Sequence, residues 1–158
     1  MAIDIGTVLV TPNWRWAGER TILNLTNPAN AVGKLKRVWL NLESSGLNDI
    51  WVGTFFLVVA TTYECRDSVN IGPVVAGAER VFPGLAIDVE LNDLIGVYLP
   101  TAAEEIEQNT TGFGGMLYCN VRNIDPGAQA AHALSAGDAV WLYGEGVEPK
   151  VTRGWWSK

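Results

Sequence analysis

The sequence is poor in the residues that most often carry catalysis and metal binding. Its 158 residues include one histidine, His132, and two cysteines, Cys65 and Cys119. Zinc sites of the His and Cys type need three or four such ligands close together, and these three residues are scattered along the chain. No Gly-x-Ser-x-Gly, His-Glu-x-x-His or glycine-rich phosphate-loop motif occurs. We therefore predict no metal, no cofactor and no catalytic residue, and a protein that is not an enzyme. Two cysteines make no disulfide framework, so both are predicted to be buried thiols.

Charge and long apolar runs are also scarce. Charged residues make up 18% of the chain, and 17 acidic residues against 11 basic ones give a net charge of −6. Proteins that bind nucleic acids need a basic surface against the phosphates, so this class of partner is not expected. The longest nearly apolar run, at 50–60, is well short of the roughly 20 residues that span a bilayer. The first ten residues lack the pattern of a secretion signal. We expect neither membrane insertion nor a signal peptide.

The residues that are abundant alternate with the period of β-strands. The stretch at 86–99, AIDVELNDLIGVYL, reads as two strands joined by a tight turn at Asn92-Asp93. Its first half places Ile87, Val89 and Leu91 on a dry face, and its second half is almost wholly apolar. Gly137-Asp138 introduces a second strand of the same kind. The other strands are predicted at 3–10, 20–25, 35–42, 51–59, 65–72, 79–82 and 113–121.

This spacing predicts an all-β, antiparallel β-sandwich, jelly-roll-like, with about 8–10 strands. In the strand at 35–42, the more apolar face carries Lys36, Val38, Leu40 and Leu42, and we expect this face to lie on the core. The strand at 51–59 is so rich in apolar and aromatic residues that we predict a central strand that is dry on both sides.

The segment from Thr101 to Gly112 is polar and acidic, with Glu104, Glu105 and Glu107 around a single apolar Ile106. A run of charges is usually solvated. We therefore predict a surface loop here, with its three carboxylates exposed.

The chain divides into a β-sandwich domain at 1–146 and a C-terminal arm at 147–158. The arm is basic, with Lys150 and Arg153, and it carries Trp155 and Trp156 side by side. Adjacent side chains of an extended segment point to opposite sides, so a single body cannot easily bury both rings. We predict that the arm docks on a neighbouring copy, where the tryptophans supply affinity and the acidic 104–107 segment orients the basic residues. Folding back onto its own sheet is the alternative.

A second aromatic cluster, Trp14-Arg15-Trp16, falls in a predicted loop between two strands. The two rings share a face if the segment is extended, and such a pair can stack on sugar rings. The other interpretation is that both rings cover the end of the sandwich or meet a neighbouring protein.

Several strings, from residue 3 to residue 144, resemble a family of short, jelly-roll-like β-sandwich proteins of phage and environmental genomes. This resemblance implies a virion-associated or surface structural role and carries over no catalytic residue. The strings are IDIG at 3–6, NPANAVG at 27–33, VGTFF at 52–56, CRD at 65–67, FPGLAIDV at 82–89, DLIGVY at 93–98 and GDAVWLYG at 137–144.

The sequence therefore favours a non-enzymatic structural subunit that self-assembles into an oligomer or filament, as a virion-associated, decoration or extracellular surface protein. Its expected partners are further copies of itself, with a glycan or other virion or surface proteins left open. The alternative is a carbohydrate-binding module that uses Trp14, Arg15 and Trp16. A glycan-active enzyme is a third, weaker interpretation, because a carboxylate pair from distant loops is not visible in one sequence.

Overall fold

The computed structural model describes residues 2–150. This part of the chain consists of β-strands and connecting turns, which confirms the all-β prediction, and it contains no helix that could cross a membrane. The strands number more than predicted because many have only two to four residues. They are β1 Ala2–Thr7, β2 Trp14–Ala17, β3 Arg20–Asn24, β4 Gly33–Ser44, β5 Ile50–Val59, β6 Thr62–Gly72, β7 Glu79–Phe82, β8 Ile87–Val89, β9 Leu94–Leu99, β10 Glu105–Asn109, β11 Met116–Cys119, β12 Gln129–Ala131, β13 Ala133–Ser135, β14 Ala139–Val140 and β15 Leu142–Val147.

The strands form two antiparallel sheets. The first has the order β1-β15-β4-β10-β14, with β2 added on β10 and with β7 and β8 added on β4. The second has the order β12-β6-β5-β9-β3-β11-β13. Alternate residues of both sheets, such as Ile3 and Leu40 of the first and Val52 and Val97 of the second, form one buried cluster. The predicted β-sandwich is therefore confirmed, with its main core between the two sheets.

The second sheet curls until it is nearly a closed barrel. Only His132 separates β12, which pairs with β6 at one edge of the sheet, from β13, which pairs with β11 at the other. A second core fills the inside of this curl and includes Leu23 and Phe55. A Cβ on Gly96 would lie 2.4 Å from Leu23 Cδ2 and 2.5 Å from the Phe55 ring, so a glycine is needed here for the strands to approach.

Both cysteines are free and buried, as predicted. Cys65 belongs to the inner core of the curled sheet. Burial raises the pKa of the Cys65 thiol to about 12, and burial likewise raises the pKa of Cys119. Since the thiolate is the reactive form of cysteine, these two side chains act as apolar packing groups at neutral pH.

The predicted core face of β4 is correct for Val38, Leu40 and Leu42 but wrong for Lys36. Lys36 is exposed, and its neighbour Leu35 is fully buried. The cause is a bulge. In the pairing of β4 with β15, Arg37 lies opposite Glu145 and Leu35 lies opposite Gly146, so Lys36 is an extra residue. A bulge shifts the alternation of faces by one position.

The expectation for β5 holds only in part. The strand is central as far as Phe55, where it lies between β6 and β9. Beyond Phe55 its pairing with β9 ends, and Leu57, Val58 and Val59 are exposed in the hairpin with β6. The prediction of a strand dry on both sides is therefore wrong for these last residues, because only one neighbouring strand accompanies them.

The turn at 92–93 connects the two sheets. β8 pairs with β4 of the first sheet, whereas β9 pairs with β3 and β5 of the second. Leu91, predicted to face inward, is exposed because the chain leaves the first sheet after Val89. Asp93 is 1% exposed. Its carboxylate accepts hydrogen bonds from Arg66 Nε at 2.6 Å and Arg66 Nη2 at 2.9 Å, which fixes the crossing between sheets.

We expect Asp93→Asn to lower the free energy of unfolding by about 1.5–3 kcal/mol, because the hydrogen bonds that Arg66 and the Glu90 amide donate to the carboxylate are replaced by weaker ones. The loss is limited because Arg66 is 22% exposed and keeps its contact with Glu90. Urea denaturation would measure this loss. Asp125→Asn is the matched control, since Asp125 pairs with Arg122 but is 64% exposed, and an exposed pair contributes about 0–1 kcal/mol. Equal losses in the two variants would contradict the role given to Asp93.

Candidate functional site

An open groove runs beside the edge strand β2. Its volume is 560 Å³, within the roughly 300–1,000 Å³ of small-molecule sites. Aromatic, amide, hydroxyl and charged side chains all contribute to it, so it offers both stacking and hydrogen-bonding groups. The residues that line it are Trp14, Arg15, Trp16, Ala17, Arg20, Glu105, Gln108, Thr110 and Asp138.

Trp14-Arg15-Trp16 lies in strand β2, so the prediction of a loop is wrong. Pairing with β10 places Trp14 opposite Gln108 and Trp16 opposite Ile106. Residues two apart on a strand share a face, and both tryptophans line the groove, as the alternation predicts for an extended segment. The Trp14 side chain is 65% exposed, which leaves its ring free to stack on a ligand.

Trp16, in contrast, is held by its neighbours. It packs partly against the main core, and its ring centroid is 4.7 Å from that of Tyr118 on β11 of the other sheet. The guanidinium carbon of Arg20 lies 4.8 Å from the centroid of the Trp16 ring, a cation–π distance. The groove therefore has one free ring and one anchored ring.

Polar groups form the wall of the groove beside Trp14. Gln108 is 1% exposed, and its Nε2 donates a hydrogen bond to Asp138 Oδ2 at 3.0 Å. Ser135 Oγ donates to the same oxygen. Gln108 Oε1 is buried without a hydrogen-bond partner. An unpaired buried acceptor costs roughly 1–3 kcal/mol, and this oxygen has almost no surface that a ligand in the groove could contact.

The opposite face of β2 is neutralised within the protein. Arg15 Nη1 lies 2.9 Å from Glu43 Oε1, and Arg15 Nε lies 2.7 Å from Glu105 Oε2. The attraction of Glu43, followed by that of Glu105, raises the pKa of the Arg15 guanidinium. Arg15, predicted as part of a sugar platform, thus borders the groove from the opposite face of β2, with its charge already paired.

The acidic segment at 101–112 is not a loop: its centre is strand β10, and the prediction of a surface loop is wrong. β10 pairs with β2, β4 and β14, and its alternate residues Ile106 and Gln108 are buried. The strand period outweighs the charge run here, because the inward positions are apolar or amide residues and the acids fall between them.

Glu104 is fully buried, with 0% exposure. Its Oε2 accepts a hydrogen bond from the Thr101 amide at 3.0 Å, and its Oε1 accepts one from Asn48 Nδ2 at 2.9 Å. Burial pushes the pKa of Glu104 upward, but the hydrogen bonds from Thr101 and Asn48 outweigh it, and the net pKa is lowered. The carboxylate joins two loops of the fold and is not available to a docking arm.

The other two acids of the segment are less buried. Glu105 accepts a hydrogen bond from Ser44 Oγ at 2.9 Å in addition to its ion pair with Arg15. Burial, with the nearby negative charge of Glu43, raises the pKa of Glu107. Of the three carboxylates predicted to receive a basic arm, Glu105 is ion-paired and Glu104 is hydrogen-bonded. Among the described residues, Glu107 has neither kind of side-chain partner.

The predicted arm begins where the last strand ends. β15 pairs with β1 and β4 as far as Val147, and Lys150 is exposed. Arg153, Trp155 and Trp156 lie outside the described residues, so their docking on another copy stays a prediction.

Arg20, Gln108, Thr110 and Asp138 were not assigned to a site from the sequence. They are far apart along the chain. They come together because β2 pairs with β10, which carries Gln108, and the chain then continues into β3 of the second sheet, which begins at Arg20. The sequence indicated Asp138 as an acidic turn residue before a strand. No sequence pattern distinguishes Arg20 or Gln108 as site residues. Within residues 2–150 no group of three or more His, Cys, Asp or Glu residues is placed to hold a metal ion.

Comparison of the chain with protein-family models, with curated proteins and with solved structures gave no match. The resemblance to phage sandwich proteins stays a prediction.

We expect Glu104→Gln to lower the free energy of unfolding by about 1.5–3 kcal/mol at pH 7, since hydrogen bonds to a charged group are replaced by weaker ones. The pKa of Glu104 is lower in the folded protein than its ordinary value of 4.5. The stabilisation by its ionised form is therefore complete above about pH 4.5 and is lost as the pH falls through the folded-state pKa.

Chemical denaturation of wild type and variant at a series of pH values would measure the gap. Glu19→Gln, at an exposed position, is the control and should change stability by less than about 0.5 kcal/mol. A gap that stays constant as the pH falls below 4 would show that the charge of Glu104 is not responsible.

Proposed function

We propose that this protein is a carbohydrate-binding β-sandwich and that the sugar binds in the groove beside Trp14. The observation that carries the proposal is the pairing of an exposed ring, Trp14, with an anchored ring, Trp16, on one face of an edge strand. A pyranose ring has an apolar face of C–H groups that stacks on an indole. Its hydroxyl groups, at the ring edge, need hydrogen-bond partners beside that platform.

The wall of the groove supplies such partners. The Thr110 hydroxyl exchanges hydrogen bonds with the Asn13 side chain and keeps one lone pair that can accept another. The Arg20 side chain uses one N–H donor, its Nε, on Asn120 and keeps others for a sugar hydroxyl. A site that combines an apolar surface with a few placed polar groups is typical of small-molecule recognition.

Binding without turnover is the simplest form of this function. The two carboxylates that line the groove, Glu105 and Asp138, are both engaged in the fold: Glu105 with Arg15 and Ser44, and Asp138 with Gln108 and Ser135. These contacts support structural roles for both acids.

We expect Trp14→Ala to weaken glycan binding at least about tenfold, a loss of about 1.4 kcal/mol, and to leave stability nearly unchanged because the ring is exposed. Affinity electrophoresis in gels that contain neutral or acidic polysaccharides would measure the binding. Leu57→Ala is the control, since it removes an exposed apolar side chain that does not line the groove. The proposal is wrong if wild type is retarded by no polysaccharide, or if both variants behave as wild type does.

A self-assembling structural subunit is the second candidate. A patch of exposed apolar side chains, Val32, Leu91 and Val147, surrounds the point where the chain leaves β15. An apolar patch next to the predicted arm supports contact between copies, and both candidate functions are compatible with a virion or an extracellular surface.

We expect removal of residues 148–158 to reduce the assembled mass to that of a monomer, because the truncation deletes the predicted docking segment. Light scattering over a series of protein concentrations would give the mass. Assembly of the truncated chain equal to that of wild type would contradict the arm, and a wild-type mass of 17 kDa at every concentration would contradict assembly itself.

A further inference from the structure

The groove beside Trp14 contains a cation without a counter-ion. Arg15, Lys34, Arg66 and Arg122 each lie next to a carboxylate. Arg20 lies within ion-pair distance of no carboxylate in residues 2–150. It nevertheless lines the groove, in a protein with an excess of acidic residues.

The guanidinium of Arg20 is held in place by neutral groups. Its carbon lies 4.8 Å from the centroid of the Trp16 ring and 5.8 Å from that of Tyr118, and its Nε donates a hydrogen bond to Asn120 Oδ1 at 3.1 Å. An arginine side chain has five N–H donors, so these contacts fix its plane and use one donor. A guanidinium held in this way is suited to bind a carboxylate through two parallel hydrogen bonds.

The other charges of the groove leave Arg20 as its one cation that no carboxylate contacts within the described residues. Arg15 is shared between Glu43 and Glu105. Asp138 keeps its negative charge, and its Oδ2 accepts hydrogen bonds from the neutral groups Gln108 and Ser135. The preference for an anion therefore depends on direct contact with Arg20 and not on the net charge of the groove. The groove thus offers a ring for stacking and a fixed cation.

We propose that the ligand of this groove is an acidic polysaccharide built from uronic acids, and that Arg20 binds the sugar carboxylate. Trp14 stacks on the apolar face of the sugar ring. This assignment rests on the proposed carbohydrate-binding function and adds the class of sugar.

The test compares each acidic polysaccharide with its own methyl ester, which keeps the sugar backbone and removes the charge. The probes are polygalacturonate, alginate and hyaluronate, measured by affinity electrophoresis in the presence of a calcium chelator. We expect wild type to bind at least one of the acids tenfold or more tightly than its ester. Arg20→Gln should bring the affinity for that acid down to the affinity for the ester.

Arg37→Gln is the matched control, because Arg37 is an exposed cation on β4 that does not line the groove and the change in net charge is the same. Equal weakening by the two variants would mean that only overall charge matters, and it would overturn the role of Arg20. If Arg20→Gln does not fold, the comparison of acid and ester with wild type still decides the sugar class.

The outcomes separate the two proposals. Binding of neutral glycans or methyl esters as tight as binding of the acids would overturn the uronic-acid assignment and leave carbohydrate binding in place. Binding of no glycan, neutral or acidic, would overturn both.

Discussion

The ion pair between buried Asp93 and partly buried Arg66 fixes the point at which the chain passes from one sheet to the other. Asp93 also takes part in the backbone contacts of this crossing: its carbonyl accepts a hydrogen bond from the Ala29 amide, and its amide donates to the Glu90 carbonyl. A charge that is 1% exposed is stable only when its partner is well placed. The position of the crossing, and with it the alignment of β8 in one sheet and β9 in the other, is therefore set by a polar interaction between a buried carboxylate and a partly exposed guanidinium.

Strand β10 has the same central role for the groove. It carries β2 on one side and the ends of β4 and β14 on the other, so one short strand brings the tryptophans close to Gln108 and Asp138. The acidic residues of this segment stabilise the arrangement. Glu104 accepts a hydrogen bond from the Thr101 amide in the loop before the strand, and Glu105 forms an ion pair with Arg15 on the far side of β2. Most of the charge in this segment therefore stabilises the fold around the site.

The fold class could be predicted from the sequence because strand alternation is a local signal. The buried positions Ile87, Val89, Val38 and Leu40 follow directly from it. The wrong predictions concern residues whose burial depends on pairing with a strand that is distant in the sequence. The bulge at Lys36 depends on the pairing with β15, and the exposure of Val59 depends on where β9 ends. The charge run at 104–107 suggested a loop, and the pairing of β10 with three other strands overrode that local signal.

The site was predictable only as far as its aromatic residues. Trp14 and Trp16 are two apart in the sequence, so their shared face is a local property. The residues opposite them come from β10 and from the turn before β14, and Arg20 reaches Trp16 only because the chain turns back from β2 into the second sheet. Contacts of this kind depend on topology, which local sequence patterns do not reveal.

The nearly closed second sheet has a consequence for association with other chains. Strands at the edge of a sheet expose unpaired backbone groups that can pair with a strand of another molecule, and very short edge strands limit this risk. The edge strands of the second sheet are β12 and β13, which lie on either side of His132 and have three residues each. The first sheet ends differently, on β1 and β2, each of which pairs with a single strand within the described residues. A strand of another molecule can thus pair more readily with the first sheet, which carries Trp14, than with the curled second sheet.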